Sequence, residues 1–197
     1  MASRFILASG SPRRRELLAE AGYAFEVVSP PIEEVSHGWL TIRELTIHNA
    51  TRKALHVARN SPDAVVLAAD TLVTIDGDVL GKPADIPDAV TMLRRLSGRS
   101  HEVWTAVCVC HSAQGKSQSF HEISRVEFRA LTDRAIENYF AKVNPLDKAG
   151  AYAAQGHGKE IIQRIEGSYS NVVGLPMEMT ARALRAFGIT PQRSLRR

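Results

Sequence analysis

Cysteine is scarce in this chain and long apolar runs are missing. Among 197 residues only Cys108 and Cys110 carry thiols. Two apart on a strand, they would share a face, a spacing that suits neither a C-x-x-C redox pair nor a four-ligand zinc site. The expectation is two buried strand residues. The seven histidines show no H-E-x-x-H pairing or other close metal spacing, which argues against a catalytic zinc. No apolar stretch approaches the ~18–20 residues that span a bilayer, and no basic-then-apolar leader opens the chain. A cytoplasmic protein without a membrane partner is expected. Neither G-x-x-x-x-G-K-[ST] nor G-x-S-x-G occurs, so P-loop and serine-hydrolase chemistries are excluded. No internal repeat or low-complexity block appears.

Charge is also scarcer than it looks. The net charge is +4, but Arg193, Arg196 and Arg197 supply three of those charges within the last five residues. The body is nearly neutral, which disfavours an extended nucleic-acid surface and favours a local anion site. With 44% apolar residues, the chain suits one well-cored domain over residues 1–190, followed by a basic tail at 191–197.

Strand and helix signals alternate. Phe5 to Ala8 is a short apolar run, and residues 23–28 read as a second strand. Thr41-Ile-Arg-Glu44 is a capping box opening a long helix to about Arg59, with Ile47, Ala50, Ala54, Val57 and Ala58 on one face. The unbroken apolar run Ala64 to Ala69 predicts a strand covered on both sides. Residues 72–80 read as a hairpin about Asp76-Gly77, which suits a type I′ turn. Further helices are expected over 87–96, over 132–142 and after Pro176, with strands over 101–110, 117–128 and 160–165. The pattern is α/β: a mixed twisted sheet with flanking helices.

Several positions could carry chemistry. Ser9-Gly10-Ser11 is a turn of small residues, Ser11 can cap the next helix, and Pro12 fits its first position. Arg13, Arg14 and Arg15 then crowd the positive end of the helix dipole, which costs roughly 0.3–1 kcal/mol each where exposed. An anion would offset that loss, although a solvated basic helix start is the plainer alternative. Asp70 follows six apolar residues, at what reads as a strand's carboxyl end, where open α/β sheets place their sites; the alternative is an aspartate that caps a turn to Thr71. Lys82 stands between Gly81 and Pro83, and Lys53 lies beside the apolar face of the long helix. Either lysine can be a phosphate contact or a solvated surface group. Glu33 and Glu34 are hard oxygen donors of the kind that hold Mg²⁺ or Mn²⁺ beside phosphates, although an exposed acidic loop is the commoner explanation for two glutamates. Gln155, in a glycine-spaced stretch, offers one amide with both a donor and an acceptor.

The ordered set Ser9-x-Ser11-Pro12-Arg13-Arg14, Ala69-Asp70-Thr71, Gly81-Lys82-Pro83, Leu96-Ser97-Gly98-Arg99 and Asp147-Lys148-Ala149-Gly150-Ala151-Tyr152 resembles the Maf family of nucleoside triphosphate pyrophosphatases. The resemblance spans about residues 4–187 and implies a Maf/inosine triphosphatase-like architecture. Arg13, Thr71 and Gln155 together resemble the branch acting on dTTP and UTP. By the same resemblance Asp70 is the general base, or metal ligand and base together, with Glu33 rather than Glu34 as a second metal ligand. Ser9, Ser11, Arg14, Lys53 and Lys82 would bind phosphate, and the cofactor would be Mg²⁺ or Mn²⁺. Where this chain has Asn49, the family usually has an aliphatic residue. The partner is then a nucleoside triphosphate, and a homodimer is compatible with this reading. The rival readings are the same reaction on a modified or non-standard nucleotide such as 7-methyl-GTP, and a non-enzymatic regulator that binds nucleic acid.

Overall fold

A computed structural model describes residues 4–35 and 39–192, so the expected basic tail lies, from residue 193 on, outside the described residues. The strands are β1 (Phe5–Leu7), β2 (Glu26–Val27), β3 (Val65–Ile75), β4 (Asp78–Leu80), β5 (Ser100–His111), β6 (Lys116–Phe128) and β7 (Ile162–Glu166). The helices are α1 (Pro12–Glu20), α2 (Ile42–Arg59), α3 (Ile86–Leu96), α4 (Asp133–Phe140), α5 (Tyr169–Val173) and α6 (Met177–Ala186). One sheet runs β2-β1-β3-β5-β6-β7, with β4 paired to β3 off that path. β1 is parallel to both β2 and β3, whereas β3–β4 and β6–β7 are antiparallel, so the expected mixed α/β sheet is present.

Strand β3 corrects one expectation. Asp70 is not at a carboxyl end; it lies inside an 11-residue strand. The parallel partner β1 pairs only with Val65–Leu67, after which Val73–Ile75 pair with Leu80–Asp78 of β4. The strand therefore exchanges one partner for another instead of stopping, helped by the β-branched Val73, Thr74 and Ile75. The turn that supplies the new partner has Asp76 at φ 56° and Gly77 at φ 84°, as a type I′ turn requires. Strand β2 is shorter than the expected 23–28. Tyr23 and Phe25 instead set their rings edge-on to Phe5, with centroids 6.2 and 6.1 Å away.

The chain forms two compact units. The first contains the chain through Asp70, Thr105–His121 and the chain from Gly174 on; the second contains Thr71–Trp104 and Glu122–Val173. In the first unit, alternation along the strands feeds two apolar layers. Leu7, Leu67 and Val107 pack with Leu18, Leu184 and Phe187, while Ile6, Ala68, Cys108 and Cys110 pack with Ala50, Ala54 and Ala58 of α2. Both cysteines are thus buried strand residues, and neither forms a disulfide. The expected capping box is formed: Glu44 N–H donates to the Thr41 hydroxyl, and Thr41 N–H donates to the Glu44 carboxylate. The second unit has its own core, built on Leu93, Leu96, Phe128, Ile136, Tyr139 and Ile161. No helix among the described residues is long and apolar enough to cross a membrane.

Candidate active site

The turn after β1 is tight because Gly10 leaves no room for more: a Cβ there would meet Ser29 Oγ at 2.9 Å. Ser11 takes the N-cap position of α1 in extended geometry, but its hydroxyl does not cap the helix. Its N–H instead donates to Ser9 Oγ at 3.2 Å. Arg14 is buried and spans this turn. Its Nη1 donates to Ser9 Oγ at 3.1 Å, and its Nε donates to the Gly174 carbonyl at 2.8 Å. Burial pulls its pKa down, against the attraction of Asp70 and Glu34. Arg13 is half-buried and Arg15 exposed.

The centre of this unit is Lys53, only 8% exposed, so the surface-lysine alternative does not hold. The capping box sets the start of α2, and helical spacing then turns Asn49 and Lys53 to the buried face. Lys53 Nζ lies 2.6 Å from Asp70 Oδ1 and 2.6 Å from Glu34 Oε1. Asp70 is 2% exposed. Burial raises its pKa above the ordinary aspartate value, while Lys53 and Arg14 oppose that rise and Glu34 adds to it. The carboxylate gathered here is Glu34, not the expected Glu33. Both glutamates are exposed; the Glu34 carboxylate reaches the Lys53 ammonium, while the Glu33 backbone carbonyl accepts from Arg52 Nη1 at 3.1 Å.

Asn49 explains why Glu34 is the one in place. Val35 N–H donates to Asn49 Oδ1 at 2.9 Å, and Asn49 Nδ2 donates to the Val35 carbonyl at 3.1 Å. This pair of bonds fixes the loop beside Glu34, and the same Nδ2 lies 3.5 Å from Asp70 Oδ2. The sequence signal was available: a polar residue on an otherwise apolar helix face, four residues before Lys53.

The remaining candidates belong to the second unit. Thr71 follows Asp70 in β3 and is half-buried, whereas Lys82 is exposed. Gly150 N–H donates to the Gly81 carbonyl at 3.0 Å, which ties the Lys82 loop to the segment leading to Gln155. Gln155 is half-buried with extended backbone, just before Gly156 at φ 61°.

The profile of the Maf-like protein family matches residues 4–187. The chain belongs to the Maf family. Two curated relatives of this Maf chain carry the name dTTP/UTP pyrophosphatase. That of Pelotomaculum thermopropionicum is 46% identical over 183 residues, covering 93% of this chain and 96% of the relative. That of Bacillus cereus is 44% identical over 186 residues, covering 94% and 96%. The solved Staphylococcus aureus Ham1 protein superposes with a TM-score of 0.52 over 93% of this chain and 99% of that one. At 13% identity, that likeness concerns the fold alone.

The donor set of this Maf chain fits a divalent ion of restricted kind. Among the described residues no group of three or more His, Cys, Asp or Glu side chains is gathered for a metal. Asp70 and Glu34 converge on one cation, the Lys53 ammonium. Two carboxylates completed by substrate phosphates and water match what Mg²⁺ takes in phosphate-transferring sites.

Proposed function

We propose that this chain is a nucleoside triphosphate pyrophosphatase converting dTTP and UTP, with water, to the monophosphate and pyrophosphate. One observation carries the reading: a buried aspartate held by a buried lysine, in a Maf chain whose relatives bear that name. Residues 1–190 act as one nucleotide pyrophosphatase domain, in the cytoplasm.

Asp70 takes a proton from water, whose oxygen forms a bond to the α-phosphorus. The bond from that phosphorus to the bridging oxygen breaks, and pyrophosphate leaves with the electron pair. A carboxylate whose pKa is raised by burial accepts a proton more readily than an exposed one. Lys53 keeps it ionised until then. Ser9, Ser11, Arg14, Lys53 and Lys82 bind the phosphates, while Arg13, Thr71 and Gln155 select the base. Mg²⁺ or Mn²⁺ would be held by Asp70 and Glu34, and supplies positive charge to the phosphate oxygens when bound. Asn49 orients the glutamate loop for that purpose.

Hydrolysis in ¹⁸O water tests the bond cleaved. Label is expected in the monophosphate, with unlabelled pyrophosphate; label in orthophosphate beside a diphosphate product overturns the assignment. A panel of nucleoside triphosphates, including 7-methyl-GTP, tests the base. Preference for dTTP and UTP is expected, and preference for a modified or non-standard nucleotide refutes it.

A further inference from the structure

The segment leading to Gln155 is anchored at four successive residues, all within the second unit. Gly150, at φ 67°, is bonded to Gly81, and a Cβ on it would lie 3.1–3.3 Å from three carbons of Val73. Ala151 follows at φ 64°, fully buried. A non-glycine residue in this region stores about 1–3 kcal/mol and persists only where its surroundings over-determine it. Tyr152 Oη and His101 Nε2 share a hydrogen bond of 2.7 Å. Those two rings and Phe128 meet edge-on, with centroids 4.8–5.4 Å apart.

The fourth anchor is a double one. Ala153 N–H donates to Tyr139 Oη at 3.0 Å, and the Tyr139 hydroxyl lies 3.4 Å from the Ala153 carbonyl, to which it donates. One buried phenol on α4 thereby holds both polar groups of one residue. The chain then returns against the same carbonyl, since a Cβ on Gly158 would lie 2.5 Å from Ala153 O. Gln155 sits between these two points.

We infer that Tyr139, backed by the Tyr152–His101 pair, is a specificity-positioning residue that fixes the backbone two residues ahead of Gln155. It acts through Gln155 and touches no substrate. The imide edge of thymine or uracil offers acceptor, donor and acceptor in one order, so an amide reads it only when presented in register. A pivot of this segment beyond Gly150 would change the register, whereas Ser9, Ser11, Arg14 and Lys53 belong to the first unit and are not carried by it. The inference rests on the reading of Gln155 as the residue that selects the base.

Tyr139→Phe removes the hydroxyl and keeps the ring. With Mg²⁺ present, the ratio of kcat/KM for dTTP to that for CTP should fall about 5- to 30-fold, with little change in the value for CTP. In a Gln155→Leu background the same change should lower the ratio no further, because the two residues act as one. An equal loss on every nucleotide, or a full additional loss in that background, overturns the inference. Gln155→Leu separates the two levels. If it lowers the ratio and Tyr139→Phe does not, only the positioning role fails; if it leaves the ratio unchanged, the base assignment fails and takes this inference with it. Should Tyr139→Phe not fold, Tyr152→Phe removes the neighbouring anchor, and an unchanged ratio there is equally decisive against it.

Discussion

In the first unit Arg14, Glu34, Lys53 and Asp70 are arranged by charge, with two contacts of 2.6 Å at one buried ammonium. In the second, the stretch before Gln155 is arranged by neutral hydrogen bonds, close-packed glycines and one alanine at positive φ. Buried ion pairs contribute little net stability because desolvation offsets attraction. The buried Lys53–Asp70 pair, in a fold with ample apolar core, therefore points to chemistry. Neutral anchors have another virtue: they fix direction without imposing a field, which is what reading a polar base edge requires. On the proposed function, the contrast separates a region that would move protons and meet phosphate from one that holds a shape.

The sharpest way to break the contrast is Asp70→Asn. Turnover should fall ~10²–10⁴-fold while the thermal unfolding midpoint stays near that of the parent, because Lys53 keeps Glu34 as a partner. Activity near the parent level in a folded protein would reduce Asp70 to a structural aspartate. The reverse deletion is not equivalent. Lys53→Met strands a buried carboxylate and should cost about 3–5 kcal/mol at neutral pH in denaturant unfolding. It should also shift the acid limb of kcat/KM to higher pH, because Lys53 opposes the upward push of burial on Asp70. An unmoved limb would show that Asp70 does not set it.

Two smaller effects probe the neutral region. Gly150→Ala must adopt φ 67° and crowd Val73, which should destabilise by about 2–4 kcal/mol. A cost below about 0.5 kcal/mol would mean that the segment can relax, and would weaken the case for a rigid reader. His101 is the anchor there that titrates on the acid side, and burial lowers its pKa from 6.5 to about 4. The fold binds this imidazole neutral, so its contribution is fully present above pH 6.5 and is lost as pH falls towards 4. The loss is on the order of 3 kcal/mol at most, and His101→Gln should flatten that part of the stability profile. An unflattened profile would assign the acid sensitivity to other groups.

Local chemistry made much of this legible in the sequence. The Thr41–Glu44 capping box, the Asp76-Gly77 turn and the apolar run before Asp70 each depend on neighbours along the chain, and each formed. The continuation of β3 through Asp70 depends on β4 replacing β1 as a partner, a matter of pairing that no local pattern encodes. Burial of Arg14 and Lys53 was hidden for a related reason, since their counter-groups lie at Gly174, Glu34 and Asp70. Asn49 holds Val35 by two hydrogen bonds, a partner 14 residues away that its place on the helix does not announce. Tyr139 lies within the helix expected over 132–142, where no local signal singles it out. Its hydroxyl acquires meaning only when Ala153 is brought beside it. Helix α5, five residues long, is too short to show a period.

The way α1 is tied to Gly174 bears on how the protein is made. Arg14 waits for a carbonyl 160 residues later, Gly22 for the amide of Gln192, and Leu18 for Leu184 and Phe187. The core around Phe128, by contrast, is drawn from residues between Val73 and Val172. During synthesis the inner segment therefore has its apolar partners while α1 still lacks part of its own. The usual order, in which the earliest part of a chain finishes first, is reversed. A ribosome-stalled chain carrying a spacer after Val173 that clears the exit tunnel should already resist proteolysis around α4 while remaining open at α1, and protection of α1 at that length would contradict this order.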